Sequence, residues 1–484
     1  MMDIVIKGGR VVTPDGDAEL EVGISGETIV AISAPDQLST DGAVVLDVQG
    51  KIVVPGGIEP HAHIGPRPEA PDQTVASQAG AAETTRGVVF GGVTTIFDFC
   101  TQRPGVGVMQ AIEERSEAWK GQSYIDYSFH ITLRGDFPSS VLGEIPEAMQ
   151  EGFTSTKAFI TDHTPIGLSM FARLSIGELW AVFQAVHRAG GVAMVHSEDY
   201  DIVSYMYRTM KENGTRAGKA NNHPLIHSGL SEDISFRRVI RLAEHTETAV
   251  YFVHTVGRYG VAALTEARSN GLPIYGEVLH TYLCFTSEDY KDPEAYKADR
   301  RWMDGNNYPG MQYPDDRDSL WTGILGGALS ATGTDQGCVP LKDKLAQQTA
   351  ESWGGGHNGA ESRMGVVFTE GVVKRGMSLR RFVDVTSANA ARIFGLYPRK
   401  GAIAVGSDAD IAIIDPGIHK TLTMKDLHLG EYSVWEGQEV QGWPVTTILR
   451  GKVVVENGKL LAKQGYGQLL KRKVDQSVLT SPAA

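Results

Sequence analysis

The sequence of 484 residues predicts an α/β fold, in which a (β/α)8 TIM-type barrel is inserted into a small β-sandwich domain built from both chain ends. Two observations lead to this prediction. Short apolar runs alternate with helical patterns from residue 56 to 395, as in parallel sheets covered by helices. Residues 1–55 and 396–460 instead consist of short β-type runs separated by turn residues.

The two chain ends share this β pattern. The first part contains DIVIKGGRVVT, AELEVGISGETIVAIS and AVVLDVQGKIVVPG, in which Val and Ile are interrupted by Gly and Asp. The pattern returns in GAIAVGSDADIAIIDP and VTTILRGKVVVENGKL. Residues 461–484 are polar and lack a clear period, so we expect either a loose tail or an arm that orders only on a neighbouring subunit.

The region between the chain ends has the pattern of a barrel. Its apolar runs are VTTIFDF, YSFHITL, TSTKAFI, GVAMVHS, AVYFVHT, LPIYGEV and LSATGTD. Helical patterns such as QAIEERSEAWKG, SIGELWAVFQAVHRAG and RYGVAALTEARSNG separate them. Seven or eight such units favour a closed barrel of about 250 residues or more. A doubly wound open sheet is the alternative, although no GxGxxG motif follows the first strand.

Composition argues against several classes of protein. A net charge of −13 disfavours a nucleic-acid partner, because phosphate backbones are repelled by an acidic surface. The sequence contains no long apolar run and no signal-peptide pattern at its start, so we expect no membrane association and no secretion. Its three cysteines, Cys100, Cys284 and Cys338, provide no disulfide framework. A reducing cytoplasm fits this composition best.

Polar side chains occur at five of the predicted strands, near the ends where barrels of this kind carry their catalytic groups. Successive residues of a strand face opposite sides, so the two histidines of GGIEPHAHIG point into one space. The imidazole and carboxylate groups are ligands for a divalent metal. The six candidate metal ligands are His61, His63, Lys157, His196, His254 and Asp335.

Lys157 requires a separate argument, because an ammonium group has no lone pair and is repelled by a cation. Burial near positive charge lowers the pKa of a lysine and makes its free amine nucleophilic. Such an amine can capture carbon dioxide as a carbamate, whose two oxygens can bridge two metal ions. A buried ion pair between Lys157 and Asp335 without metal is the alternative.

Together these motifs resemble the amidohydrolase superfamily, and more closely its hydantoinase and dihydropyrimidinase branch. The resemblance extends from about residue 3 to 460. The stretches that carry it include VVPGGIEPHAHI, GGVTTIFDF, STKAFI, VHSED, YFVHT, GEVLHTYL, GAESRMGVVFTEGV, TSANAARIFGLYPRKGAIAVGSDADIAIIDP and ILRGKVVVENGK.

The resemblance implies a hydrolase with two divalent metal ions, usually zinc, that opens a cyclic amide C–N bond with a metal-activated hydroxide. It also implies a homotetramer or homodimer. By residue-to-residue transfer, His61 and His63 bind the more buried ion with Asp335, and His196 and His254 bind the second ion. Carboxylated Lys157 bridges the two ions, and Asp335 serves as general base and later as general acid.

The chain departs from the branch pattern around the substrate. Asp162 stands where the branch has a tyrosine that holds the oxyanion, and the adjacent His163 is a candidate donor in its place. Gln312 stands at the position of a serine that binds the imide, and Gln336 follows the general base where the branch has histidine. We expect Asp162, His163, Gln312 and Asn358 to contact the substrate.

Because specificity depends on these substrate-facing residues, two alternatives to a hydantoinase or dihydropyrimidinase stay open. One is a related amidohydrolase that acts on another amide, imide or lactam, such as an allantoinase or dihydroorotase. An arginine near the metals would favour an acidic ring, and Arg67 is a weak candidate. The other alternative is a non-catalytic scaffold of this branch, which would not need all six metal-facing residues.

Overall fold

The computed structural model describes most of the chain, namely residues 2–65, 79–161, 172–213, 222–290, 308–342 and 356–484. None of the helices in these ranges is long and apolar enough to cross a membrane.

Both chain ends form strands. Those before the barrel are β1 (Ile4–Lys7), β2 (Arg10–Thr13), β3 (Gly16–Glu19), β4 (Glu21–Ser25), β5 (Thr28–Ser33), β6 (Val44–Asp47) and β7 (Ile52–Pro55). Those after the barrel are β16 (Ile411–Thr421), β17 (Glu439–Leu449), β18 (Lys452–Glu456) and β19 (Lys459–Leu460). One sheet has the strand order β5-β4-β1-β6 and the other has the order β19-β18-β17-β16-β7-β2-β3.

The second sheet joins the two ends of the chain. Strand β7 pairs with β16 in antiparallel orientation and with β2 in parallel orientation. Residues of both sheets bury their side chains in one apolar cluster, which includes Ile6 and Val22 from the first sheet and Val11, Val53 and Ile411 from the second. The predicted β-sandwich from both chain ends is confirmed.

The barrel consists of eight parallel strands in sequential order. They are β8 (Gly57–Glu59), β9 (Val93–Thr101), β10 (Asp126–Leu133), β11 (Ser155–Phe159), β12 (Val192–His196), β13 (Ala249–Phe252), β14 (Ile274–Leu279) and β15 (Ala331–Gly333). Every residue of these strands is buried, as expected for parallel strands covered on both faces. A parallel bridge between Ala62 and Gln336 connects the chain after β8 to the chain after β15. The closed barrel is therefore confirmed, and the doubly wound alternative is wrong.

Helices cover the barrel. They are α1 (Ala81–Val88), α2 (Val108–Trp119), α3 (Ser140–Gln150), α4 (Ile176–Ala189), α5 (Tyr200–Glu212), α6 (His223–Ile226), α7 (Gly229–Thr246), α8 (Arg258–Ser269), α9 (Pro314–Gly326), α10 (Arg363–Val367), α11 (Leu379–Val383), α12 (Asn389–Ile393) and α13 (Gln476–Thr480). Two π-helical segments, Phe368–Val373 and Asp384–Ala388, flank α11, and 3-10 turns occupy Val89–Gly91 and Ser287–Tyr290.

Helix α4 shows how the sequence determines these elements. Ser175 and Glu178 form a capping box, with bonds of 3.2 Å and 2.7 Å between each side chain and the other residue's N–H. A cap of this kind stabilises a helix by about 1 kcal/mol. Leu179, Val182 and Val186 bury one face of the helix, and Gly190 ends it in the left-handed conformation.

The last residues of the chain pack against their own barrel. Leu470, Val474 and Val478 are buried in a cluster with residues from the barrel interior, among them Tyr251 and Tyr275. The expectation of a loose tail, or of an arm that orders only on a neighbour, is therefore wrong. These three side chains recur every four residues, which lets them share one face of the segment.

Candidate metal centre

His61, His63 and Asp335 meet at the carboxyl-terminal end of the barrel. The Nε2 atoms of His61 and His63 lie 3.2 Å and 2.9 Å from Oδ1 of Asp335. Within the described part of the chain, these are the three side chains whose metal-binding atoms all lie within 4.8 Å of one another. Two imidazoles and a carboxylate form a donor set that suits zinc and similar divalent ions.

The backbone brings these residues together where the barrel closes. The N–H of His63 donates to the carbonyl of Gln336 (2.6 Å), and the N–H of Gln336 donates to the carbonyl of His61 (3.1 Å). Asp335 adopts a left-handed backbone with φ of 51°. This conformation costs a non-glycine residue about 1–3 kcal/mol and is typical of functional positions. Burial would raise the pKa of Asp335, but His61 and His63 hold it well below its usual range.

Glu277, on β14, bonds to the ring of His61 and to the backbone of His254 from inside the barrel. Its Oε1 lies 2.8 Å from Nδ1 of His61 and accepts the backbone N–H of His254 at 3.1 Å. Its Oε2 accepts the hydroxyl of Tyr251 at 2.9 Å. Since the carboxylate accepts a hydrogen bond from the Nδ1–H of His61, that ring carries its lone pair on Nε2, the nitrogen that faces Asp335.

Glu59, on β8, accepts hydrogen bonds from the chain after β8 and from the chain after β15, the two segments that meet where the barrel closes. Its Oε1 accepts the N–H groups of His61 (3.1 Å) and Thr334 (3.0 Å). Burial raises the pKa of Glu59 to about 7, although the guanidinium of Arg363 opposes this shift. The Nε atom of Arg363 lies 3.1 Å from Oε2 of Glu59, and both side chains are fully buried.

Lys157 lies in the barrel interior, and its Nζ atom has no hydrogen-bond partner among the described residues. This nitrogen lies 5.7 Å from the ring centre of Phe99 and 4.9 Å from that of Phe159. Burial lowers the pKa of Lys157 to about 8, and the carboxylates of Asp335 and Glu277 oppose this shift only in part. A buried amine of this kind fits the chemistry of a carbamate, which would supply two oxygens to metal ions.

His196 and His254 form a pair next to this group. Their ring centres lie 4.5 Å apart, and the ring centre of His254 lies 5.6 Å from that of His61. Burial lowers the pKa of both His196 and His254, which favours the neutral imidazoles that metal binding requires. His254 also has a left-handed backbone, with φ of 40°. The two rings adjoin the three-residue group without belonging to it.

A buried chain of polar groups continues from His196. Its Nε2 lies 2.8 Å from Oε2 of Glu198, whose Oε1 lies 2.8 Å from Nδ1 of His227. The Nε2 atom of His227 lies 3.1 Å from the hydroxyl of Tyr207. Burial would raise the pKa of Glu198, but His227 and His196 hold it below its usual range. The ionised carboxylate therefore accepts a hydrogen bond from the Nε2–H of His196, which leaves the lone pair of that ring on Nδ1.

Gln312 and Asn358, two of the expected substrate contacts, have side-chain amides bonded to the protein itself. The Nε2 of Gln312 donates to two backbone carbonyls at 2.8 Å and 2.9 Å. The Nδ2 of Asn358 donates to two others, both at 2.6 Å. The Oδ1 of Asn358 is buried without a hydrogen-bond partner among the described residues. A substrate role for either residue stays a prediction.

The remaining expected contacts, Asp162 and His163, lie outside the described residues, as does Arg67. Sequence reasoning missed Glu59, Glu277 and Glu198, which make hydrogen bonds to His61 and His196, two of the candidate metal ligands. A signal was present for all three. Each is a buried carboxylate within an apolar strand or two residues after one, where an acidic residue needs a specific partner.

Comparisons with known proteins agree with this geometry. The model of the amidohydrolase family matches residues 52–454. A D-hydantoinase of Geobacillus stearothermophilus is 31% identical over 97% of this chain and 97% of its own length. An L-hydantoinase of Paenarthrobacter aurescens is 29% identical over 98% of this chain and 99% of its own. The crystal structure of a dihydropyrimidinase from Brevibacillus agri superimposes with a TM-score of 0.89 at 29% identity, covering 98% of this chain and 99% of that one.

Proposed function

The chain belongs to the amidohydrolase family, and from this premise we propose that it is a metal-dependent hydrolase that opens the C–N bond of a cyclic amide of the hydantoin or dihydropyrimidine type. The observation that carries the proposal is the convergence of His61, His63 and Asp335 beside the buried amine of Lys157. The names of the related proteins, two hydantoinases and a dihydropyrimidinase, support the substrate class.

The residues of the site fit two divalent ions, which we take to be zinc. His61, His63 and Asp335 would hold one ion, and His196 and His254 would hold the other. Lys157, carboxylated by carbon dioxide, would contribute one oxygen to each. When bound, such ions supply hydroxide near neutral pH and polarise a carbonyl group.

Asp335 moves the proton in this proposal. Its low pKa leaves it ionised at neutral pH, so it can accept a proton from the attacking water. The water oxygen bonds to the ring carbonyl carbon, the ring C–N bond breaks, and Asp335 returns the proton to the leaving nitrogen. The product is an N-carbamoyl amino acid. Glu59 and Glu277 keep this carboxylate and His61 aligned throughout.

The contacts to the substrate are proposed on the resemblance alone. His163 would donate a hydrogen bond to the developing oxyanion, where a carboxylate such as Asp162 would be unfavourable unless protonated or turned away. Gln312 and Asn358 would face the ring. If the variant His163→Ala turned over substrate at the wild-type rate, the assignment of His163 would be wrong.

We also propose a homo-oligomer, a tetramer or dimer, in a reducing cytoplasm. Leu230 and Ile234 on α7 and Tyr259 on α8 are large apolar side chains that are more than 40% exposed, a feature common at subunit interfaces. All three cysteines of the chain are free thiols. Sedimentation of the purified protein would determine the number of subunits.

A substrate panel tests the proposed activity. The panel contains hydantoin, 5-substituted hydantoins of both configurations, dihydrouracil, allantoin, dihydroorotate and a cyclic imide, each followed by loss of the ring-amide absorbance. We expect hydrolysis of a hydantoin or of dihydrouracil, and a loss of about 10²–10⁴-fold in kcat for Asp335→Asn, the usual contribution of general acid–base catalysis. Asp318→Asn, at an exposed site on α9, is the matched control. Activity on only allantoin, dihydroorotate or the imide would reassign the substrate.

A further inference from the structure

The end of the chain closes the amino-terminal mouth of the barrel. The N–H of Tyr127 donates to the carbonyl of Gln468 at 3.0 Å, and the N–H of Leu470 donates to the carbonyl of Tyr127 at 2.7 Å. Farther along, the hydroxyl of Tyr275 donates to the carbonyl of Val478 at 2.7 Å. This segment is therefore joined to barrel strands on both sides of the mouth, opposite the end that carries the metal-facing groups.

Arg472 extends from this segment into the barrel. Its side chain is only 4% exposed, and its Nη1 atom donates to Oγ of Ser155 at 3.0 Å. Its Nη2 atom donates to the carbonyl of Phe129, and its guanidinium carbon lies 5.1 Å from the ring centre of Phe97. A buried cation is costly unless it is hydrogen-bonded, so the bonds made by Nη1 and Nη2 hold Arg472 in one position, although its Nε has no partner among the described residues.

A series of hydrogen bonds connects Arg472 to the loop after β8, which carries His61 and His63. Because Oγ of Ser155 accepts from Arg472, its hydroxyl proton is free to bond to Nδ1 of His130, 2.6 Å away. The Nε2 atom of His130 lies 3.0 Å from the carbonyl of Pro60, the residue before His61. Burial lowers the pKa of His130 well below its usual value. The neutral ring then carries its one proton on Nε2 and donates it to Pro60.

The aromatic neighbours of His130 restrict its ring. The ring centres of Phe97, Phe99 and Phe394 lie 5.0, 5.3 and 4.7 Å from that of His130. Phe99 in turn stacks on His63 at 4.6 Å. A change in the tautomer or tilt of His130 would therefore affect the loop through both the Pro60 carbonyl and the Phe99 ring.

Ser155 also lies directly beneath Lys157. Both are on β11, two residues apart, so their side chains face the same side of the strand. The hydrogen bond from Arg472 therefore reaches two parts of the candidate metal centre, through His130 to the loop before His61 and through β11 to Lys157.

We infer that Arg472 is a positioning residue of the metal centre, through which the C-terminal segment sets the alignment of His61 and Lys157 by way of Ser155 and His130. This inference rests on the proposed function only in taking the site to bind divalent metal. It assigns the end of the chain a part in metal binding, in addition to its part in packing.

The test compares the full-length variants Arg472→Gln and Ser155→Ala with Lys473→Gln, which removes a positive charge from an exposed neighbour on the same segment. Zinc affinity is measured by competition with a chromophoric chelator in the absence of substrate, and the melting temperature is measured in parallel. We expect Arg472→Gln and Ser155→Ala to bind zinc about 10–100-fold more weakly than wild type, the usual loss for outer contacts of metal ligands. Lys473→Gln should stay within about twofold.

The inference would be overturned if Arg472→Gln and Ser155→Ala had the same zinc affinity as Lys473→Gln. This holds even if both variants melt at a lower temperature, since a purely structural role changes stability alone. If Arg472→Gln fails to fold, the zinc affinity of Ser155→Ala tests the inference alone, because this variant interrupts the hydrogen bonds inside the barrel and leaves the sequence of the C-terminal segment unchanged. An enzyme that binds zinc as expected but hydrolyses none of the cyclic amides would overturn the proposed function only. A wild-type chain that binds no zinc would overturn both.

Discussion

Lys157 is the residue whose chemistry depends most on its surroundings. In water its amine would be protonated at neutral pH, whereas burial between Phe99 and Phe159 lowers its pKa to about 8. A substantial fraction is then the free amine under mildly alkaline conditions, and this form reacts with carbon dioxide. The sequence indicated Lys157 because a lysine within an apolar strand is unusual.

We expect Lys157 to carry a carbamate. Protein incubated with ¹³C-bicarbonate and zinc should give a carbamate carbon signal by NMR, and Lys157→Ala should lose it together with at least one bound metal ion. Lys120→Ala, which removes an exposed lysine from the end of α2, should keep the signal. An unchanged signal in Lys157→Ala would place the carbamate elsewhere, and no signal in wild type would refute the assignment.

At the scale of secondary structure, the polar strand ends were predictable, and the roles of the carboxylates near them were not. An apolar strand that ends in histidine or aspartate can be recognised in the sequence, so His196, His254 and Asp335 could be proposed from it. Glu277 also stands out as an acid in an apolar strand, but its partners could not be predicted, because they come from β13 and from the loop after β8 and are distant in sequence. The left-handed backbone of Asp335 is likewise a product of the barrel closure rather than of local sequence.

Helix α7 contains a buried carboxylate that makes stability depend on pH. Burial raises the pKa of Glu232 to about 8, while the N–H of Val256 donates to its Oε1 at 2.8 Å. The folded chain therefore holds a proton on Glu232 up to about pH 8, whereas the unfolded chain releases it near pH 4.5. This contribution to the free energy of unfolding is present at low pH and is lost as pH rises through that window.

We expect Glu232→Gln to remove this pH dependence, since glutamine keeps the acceptor for Val256 and cannot ionise. The difference in melting temperature between the variant and wild type should increase from about pH 5 to pH 8. The increase should correspond to about 3 kcal/mol or less in the free energy of unfolding. Glu244→Gln, at an exposed site on the same helix, should run parallel to wild type. Parallel curves for Glu232→Gln as well would show that Glu232 is ionised in the folded state at neutral pH.

At the scale of the whole molecule, the sequence sufficed for the barrel, the β-sandwich and the family. Strand–helix alternation and the return of the β pattern after residue 396 depend on periodicity, which a single chain displays. The packing of the C-terminal segment could not be predicted, because its apolar residues are only a few among polar ones, and their partners, Tyr251 and Tyr275, lie inside the barrel. Which surface a short amphipathic segment covers is determined by tertiary packing that the sequence pattern does not reveal.

The most direct test of the metal centre is the metal content of the purified chain, measured by mass spectrometry after growth and purification with bicarbonate. We predict two divalent ions per chain, loss of cyclic-amide hydrolysis when a chelator removes them, and recovery when zinc and bicarbonate return. A chain that hydrolyses cyclic amides at full rate after all divalent ions have been removed would contradict the proposed metal centre.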